Sequence, residues 1–416
     1  MARLAGVLIS GAVACFAAAG CRADAQAPPA VCSAPQDAAA AQALASSDAA
    51  FAVALFQPAV VAAGAGQNAI LSPYSVSATL KMVDVGAAGE TDAQIQSVLH
   101  LSGNGTAIAP AYAALACEDE TDGSESGNTL SIANSVWAQQ AMPFVPGFLS
   151  TLSTGYDAPL QQVDFEGDPT AATSSINAWV STSTQGQIPS LLTPGAVNQS
   201  TRLVLVNAVY FKGAWQTAFD PSRTQPQPFT LSDGTVVSVP TMNGIVSLKA
   251  GSSGGSQITE LGYQGGGMAM DFVVPQGTLS DMVAGLTPAV LQALVGSLGP
   301  SQYDVQLLLP KFSFDTTLAL APILGGLGMP DLFDPTKANL SGMDGAMDLY
   351  VGFVAHEAII EVDESGTVAA AASGGGVQGG AVEAPTAIDR PFLFLIRDVK
   401  NGSILFMGQV EDPRQN

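Results

Sequence analysis

The chain has 416 residues, of which 13 are basic and 35 acidic, so its formal net charge is −22. A surface that binds nucleic acid needs clustered Lys and Arg, and this charge also repels anionic membranes and polyanionic cofactors. We therefore exclude these partners. Hydrophobic residues make up 47% of the chain and charged residues 12%, which supplies a large core and excludes disorder throughout.

The N-terminus has the layout of a secretory signal. Residues 1–20 contain one basic residue, Arg3, then an apolar stretch and small residues. Ala18-Ala19-Gly20-Cys21 resembles a bacterial lipoprotein processing site, which would lipidate Cys21; cleavage after Ala23-Asp24-Ala25 is the alternative. Either way we expect export, with the protein extracellular, periplasmic or anchored by lipid at the cell envelope.

The four cysteines fit neither a disulfide scaffold nor a zinc site, because their number is small and their spacings are not those of paired ligands. Cys15 and Cys21 belong to the predicted signal or its end. Cys32 and Cys117 are left as candidates for a disulfide in an oxidising compartment. We expect no metal and no cofactor.

Residues 21–45, rich in Ala, Pro and Gln, predict a tether in front of a folded domain at 46–413. Apolar residues at helical spacing then predict a helix after residue 47 and another from Ser72-Pro73, and Thr91 opens a third. Beyond the signal we find no apolar run of about 20 residues, the length that spans a bilayer.

From Leu130 onward, β-branched stretches replace the helical spacing. Helices first and strands afterwards, without regular βαβ alternation, indicate the α+β class. The predicted strands are 202–211, 268–274, 305–309, 358–362, 392–396 and 404–407, and the later predicted helices are 170–184 and 318–328.

Two motifs match chemical sites only in part. Gly374-x-Gly376-x-x-Gly379 has dinucleotide-binding spacing, but Pro385 follows it where that site needs a helix. Gly251-x-Ser253-x-Gly255 has the spacing of a nucleophile elbow, and only His100 and His356 could act as histidine bases. We expect no nucleotide site, and a hydrolase built on Ser253 stays as an alternative function.

The segment 366–380 consists almost entirely of small residues. As a strand it would place Thr367, Ala369, Ala371 and Ser373 on one face, where no side chain is larger than valine. Such a face could slide beneath a layer of helices. A flexible Gly/Ala linker is the competing interpretation.

Seven short motifs follow one another in fixed order over most of the chain. They read NAILSPYS at 68–75, GAAGET at 86–91, TQGQI at 184–188, NAVYFKGAW at 207–215, LPKF at 309–312, DRPF at 389–392 and LFMG at 405–408. In these motifs the sequence resembles the serpin family. The resemblance implies an α+β fold with a large central mixed sheet, smaller sheets, packed helices and an exposed reactive-centre loop at about 364–388.

The resemblance also implies a serine protease inhibitor rather than an enzyme. In inhibitory members a protease attacks the loop, forms an acyl-enzyme and is trapped as the cleaved loop enters the central sheet. The small side chains here match the inhibitory hinge, which comprises Glu364, Gly366, Thr367, Ala369, Ala370, Ala371 and Ala372. A noninhibitory serpin that acts as a binding or chaperone-like module is the alternative.

Counting from the hinge glycine as in the family, the reactive bond is Gly380-Ala381, with Val377 and Val382 as neighbouring candidates. Small side chains there suit an elastase-like or subtilisin-like serine protease, and the absence of Lys and Arg between Gly366 and Asp389 disfavours a trypsin-like one. The glycines at 374–380 oppose strand formation by roughly 0.5–1 kcal/mol each, so part of the inhibitor could be cleaved as a substrate.

Five further residues match family positions that control the sheet. Ser72, Ser75, Asn207 and His356 match the shutter, where the strands part, and Trp215 matches the breach, where insertion begins. The stretch that corresponds to the heparin-binding helix, about 91–117, has no Lys or Arg. We therefore expect no heparin-like partner, and we expect a monomer.

Overall fold

The computed structural model describes residues 38–158, 160–367 and 385–415, all within one compact unit, Ala34–Asn416. The predicted signal, Cys21, hinge residues Ala369 to Ala372, and the Gly380-Ala381 bond lie outside the described residues. So does the glycine motif at 374–379.

The helices of the described residues are concentrated in the first half of the chain, as predicted. Three short 3₁₀ turns are at Glu125–Gly127, Pro221–Arg223 and Asp331–Phe333. The α-helices are α1 (Ala38–Ala63), α2 (Pro73–Asp84), α3 (Gly89–Val98), α4 (Gly105–Gly123), α5 (Pro146–Gly155), α6 (Pro169–Ser183), α7 (Leu279–Ala284), α8 (Pro288–Gly296), α9 (Ala321–Leu327) and α10 (Ser341–Asp344).

The strands of the described residues form two mixed sheets, which confirms the α+β class. They are β1 (Ala69–Leu71), β2 (Thr129–Gln139), β3 (Gln161–Val163), β4 (Leu203–Ala214), β5 (Gln225–Thr230), β6 (Val236–Ser253), β7 (Ser256–Gly262), β8 (Met268–Pro275), β9 (Gln302–Pro310), β10 (Phe312–Ala319), β11 (Phe353–Val362), β12 (Gly366–Thr367), β13 (Thr386–Ala387), β14 (Phe392–Asp398) and β15 (Ile404–Val410).

The first sheet has nine strands, in the order β1-β15-β14-β8-β7-β6-β9-β13 with β5 paired to β6. The second has six, in the order β10-β11-β12-β4-β2-β3, and in it β11 also pairs directly with β4. Helix α6 covers one face of the six-stranded sheet through Ile176 and Val180, which pack with Val204 and Val206 of β4. The opposite face packs on the main core.

Two sequence-based boundaries are wrong. Helix α1 begins at Ala38, inside the predicted tether, because Ala41 and Leu44 are small or apolar enough to pack into the core. The helix predicted at 318–328 is shorter, because Leu318 continues the buried face of β10.

The apolar character of helix α1 was also overlooked, since we found no long apolar run in the sequence beyond the signal. Among the described helices it alone is long and apolar enough to cross a membrane by length and composition, although half of that window is buried in the protein. Its buried residues include Phe51, Leu55 and Phe56, which belong to the main core.

Farther along the chain, Cys117 of α4 is disulfide-bonded, and the other three cysteines lie outside the described residues.

A buried carboxyl group joins three helices. Asp84 at the end of α2 has no exposed surface, and one carboxyl oxygen accepts a hydrogen bond of 2.8 Å from the N–H of Gly105, the first residue of α4. Burial, together with the nearby carboxyl of Asp92 in α3, raises the pKa of Asp84 to about 8. Asp84 is therefore protonated in the folded protein at neutral pH.

This shift predicts a loss of stability as the pH rises. The unfolded chain releases the Asp84 proton near its ordinary pKa of 3.8 and the folded protein only near 8, so the contribution of Asp84 to stability falls between these values. Asp84→Asn keeps an oxygen for Gly105 and does not titrate. We expect its melting temperature, relative to wild type, to increase from about pH 5 to about pH 8.5.

The control is Asp348→Asn, at an exposed position. A melting-temperature difference for Asp84→Asn that stays constant over this pH range would contradict the assignment.

Candidate functional site

In the six-stranded sheet, β4 and β11 are paired directly over one half of their length, which we call the closed or lower half, and are separated over the other, which we call the split or upper half. Strands β11 and β4 pair in parallel from Phe353 opposite Val204 to Ala358 opposite Val209. Above this pairing the two-residue strand β12 lies between them, with Thr367 opposite both Val362 of β11 and Gly213 of β4. The first residues of the predicted exposed loop are therefore already part of the sheet, and Thr367 is only 2% exposed.

The closed half carries the four residues predicted for the shutter. The N–H of Ser72 donates to Nε2 of His356 at 3.0 Å, and the N–H of Ser75 donates to the Ser72 hydroxyl at 3.2 Å. Nδ2 of Asn207 donates to the Ser75 carbonyl at 3.1 Å. His356 and Asn207 lie opposite each other on β11 and β4, so the start of α2 is bonded to both strands.

Two more side chains belong to this network and were missed in the sequence. The Ser75 hydroxyl donates to Oδ1 of Asn134 on β2, and Nδ2 of Asn207 donates to the hydroxyl of Thr79 on α2. Asn134 lies directly opposite Asn207 in the β2–β4 register. The only signal in the sequence was an Asn in a β-branched stretch, which does not identify its cross-strand partner.

His356 is a hydrogen-bond acceptor. Complete burial lowers its pKa to about 4, so the imidazole is neutral and its Nε2 is occupied by the Ser72 N–H. Within the described ranges, no group of three or more His, Cys, Asp or Glu side chains could hold a metal ion.

Trp215, predicted at the breach, lies beside the upper split. It is fully buried and stacks on Tyr263 with ring centroids 4.8 Å apart and planes inclined by 8°. Its indole Nε1 donates to the carbonyl of Asp363 and its backbone N–H to the carbonyl of Ser365, each at 2.9 Å. Trp215 thus holds the turn that leads from β11 into β12.

Glu364, which was predicted for the hinge, is held by side chains on the other side of this turn. Nζ of Lys311 lies 2.6 Å from one carboxyl oxygen, and the Thr224 hydroxyl donates to the other at 2.6 Å. Burial alone would raise the pKa of Glu364, but the hydrogen bonds from Lys311 and Thr224 outweigh burial and lower it. The convergence of Lys311 and Thr224 on Glu364 was not predicted, because both residues are distant from it in the chain.

Gly366 is required by the closeness of β4. A Cβ atom at this position would lie 1.9 Å from the carbonyl oxygen of Gly213 and 2.8 Å from Cα of Ala214. Since no such contact is tolerated, only glycine lets the chain enter between the strands here.

Ser253 does not lie on a nucleophile elbow. It ends β6 opposite Ser256 of β7, and Gly254 and Gly255 between them have φ of 60° and 82°, which makes a tight hairpin. An elbow needs a helix after the turn. The alternative of a hydrolase is therefore wrong, because it required Ser253 to lie on such an elbow.

The family model that matches the chain is Serpin (serine protease inhibitor), over residues 46–413. The chain belongs to the serpin family. Leukocyte elastase inhibitor A of Mus musculus is 35% identical to this serpin over 374 residues, with 87% of the chain and 97% of the relative covered. Plasminogen activator inhibitor 1 of Bos taurus is 35% identical over 371 residues, covering 87% and 91%.

Solved structures confirm the serpin fold. Arabidopsis AtSerpin1 in its native stressed conformation matches with a TM-score of 0.78 and 30% identity, covering 90% of this chain and 98% of the other. Native protease nexin-1 with heparin matches with the same score and identity, covering 90% and 100%.

Because the Ser72 N–H depends on His356 as its acceptor, replacing His356 should lower the stability of the folded protein. In His356→Asn the side chain is too short to reach Ser72, so a buried N–H loses its acceptor, which costs about 1–3 kcal/mol. We expect a lower melting temperature at neutral pH. In wild type the stability that depends on neutral His356 is complete above its ordinary pKa of 6.5 and is lost as the pH falls through about 4; the variant should lack this acid dependence.

The matched control is His100→Asn, because His100 is exposed and Asn tolerates its φ of 55°. Equal melting temperatures for both variants and wild type would show that the Ser72–His356 bond contributes nothing.

Proposed function

We propose that this serpin inhibits a serine protease by covalent trapping and loop insertion. The observation that carries the proposal is β12, since Gly366 and Thr367 already lie between β11 and β4. The strands diverge above Ala358 and pair below it. A cleaved loop could extend β12 downward by parting the closed half.

The register of β12 supports insertion of the following residues. Each further residue of the loop would move one residue back along both β11 and β4, so Ser373 would meet His356 and Asn207 at once. Those two residues now face each other in the closed half. We propose that the shutter bonds hold the strands together until cleavage and that the Ser373 hydroxyl then enters a polar site.

We propose an elastase-like or subtilisin-like target cut at Gly380-Ala381. The small side chains around this bond support a shallow primary pocket, and relatives in Mus musculus and Bos taurus carry the name leukocyte elastase inhibitor. A noninhibitory serpin remains the outcome that the experiment below would reveal.

We further propose that inhibition needs no polyanion. Helix α4 contains no Lys or Arg and carries Glu118 and the exposed Glu120 near its end, so an anionic chain would be repelled. The signal-like N-terminus supports export, with Cys21 as the proposed lipid attachment.

Thr367→Arg tests trapping. Thr367 is buried, and a charged side chain there would have to be buried without a partner or expelled from the sheet. With pancreatic elastase, the wild type should give an SDS-stable complex, whereas Thr367→Arg should be cleaved at a similar rate without complex. Thr235→Arg, at an exposed turn, is the control. Cleavage of wild type without any complex would favour the noninhibitory alternative.

Loop cleavage should also raise the melting temperature sharply. The new strand would add ladder hydrogen bonds and packing within the six-stranded sheet. The measurement is calorimetry of the intact protein and of the protein nicked by a protease that does not stay bound. If both forms melt at the same temperature, the loop does not insert.

A further inference from the structure

Tyr263, which lies between β7 and β8, contacts the side chain of the buried Thr367. Its hydroxyl lies 2.6 Å from Oγ1 of Thr367, and both side chains are almost completely buried. Its ring stacks on Trp215 and meets Phe211 of β4 edge-on, with centroids 4.9 Å apart and planes at 75°. The hydroxyl is therefore held at a fixed position beside the split.

Apart from the requirement for glycine beside β4 at position 366, strand β12 offers few contacts that specify its register. It has two residues, and one of them is Gly366, which has no side chain to pack. A slip of one residue moves every side chain of a strand to the opposite face. For a strand that must extend between two others, such a slip would turn the small inner side chains outward.

We propose that Tyr263 is the positioning residue that fixes the register in which the loop enters the sheet. This inference rests on the proposed function. Thr367 can bond to Tyr263 only when its side chain points to the inner face, and a slipped strand would lose that bond. The bond thus selects the face before the closed half of the sheet opens.

The contacts of Lys311 and Thr224 with Glu364 cannot select the face on which the side chains of β12 lie. Glu364 lies before the turn at Ser365, and its partners Lys311 and Thr224 hold the start of that turn. Tyr263 instead touches β12 directly and is braced against β4, because a Cβ at Gly213 would lie 2.7 Å from its ring. Among the side chains that the structure describes, Tyr263 is the one that hydrogen-bonds to the Thr367 side chain.

The test is Tyr263→Phe, which keeps the stacked ring and removes the hydroxyl. We expect pancreatic elastase to attack the loop at an unchanged rate, while the ratio of cleaved to trapped inhibitor rises about fivefold. That factor corresponds to about 1 kcal/mol, the ordinary net contribution of one hydrogen bond. Tyr303→Phe is the control, since Tyr303 is 74% exposed on β9.

A double-mutant cycle separates register from general stability. Thr367→Val should raise the ratio as Tyr263→Phe does, and the double variant should be no worse than either single one, because both remove the same bond. Additive effects, or a lower melting temperature of the native protein with an unchanged ratio, would overturn the role of Tyr263.

The same experiment distinguishes this inference from the proposed function. If wild type traps the protease and Tyr263→Phe traps it equally well, only the inference fails. If wild type is cleaved without complex and without a rise in melting temperature, both fail.

Discussion

The architecture depends on two strands that are paired at one end and held apart at the other. Strands β4 and β11 share a ladder below Ala358, and above it the two residues of β12 take the place of that ladder. Backbone groups in a sheet interior need partners, and β12 supplies them for Val362 of β11 and for Gly213 and Ala214 of β4. Everything else in the site either holds the lower ladder closed or keeps β12 in position.

These two tasks fall to different kinds of contact. The lower half uses small polar side chains of α2, β2, β4 and β11, whose bonds are individually modest and jointly tie a helix to three strands. The upper half uses large side chains, with Trp215 and Tyr263 stacked and an ion pair between Lys311 and Glu364. The lower half is thus held by directional hydrogen bonds and the upper half mainly by the packing of large rings.

The sequence predicted the fold class and most strands, because helical spacing and β-branched runs are local signals. The shutter residues Ser72, Ser75, Asn207 and His356 were named from the resemblance to the serpin family, and the structure brings them into one hydrogen-bond network. It did not predict Asn134, because cross-strand partners depend on register. It placed the start of α1 too late, since alanines in a tether and alanines in a packed helix look alike. It also treated the loop as exposed from its first residue, although Thr367 is buried through contacts with residues distant in the chain.

Two buried groups that are uncharged in the native state respond to pH in opposite directions. Keeping His356 neutral costs stability as the pH falls from 6.5 toward about 4, and keeping Asp84 protonated costs stability as the pH rises from 3.8 toward about 8. Between about pH 4 and pH 6.5 the two contributions change in opposite directions and largely cancel. Above that range only the cost of Asp84 keeps growing, so this pair makes the native state more tolerant of mild acid than of mild alkali.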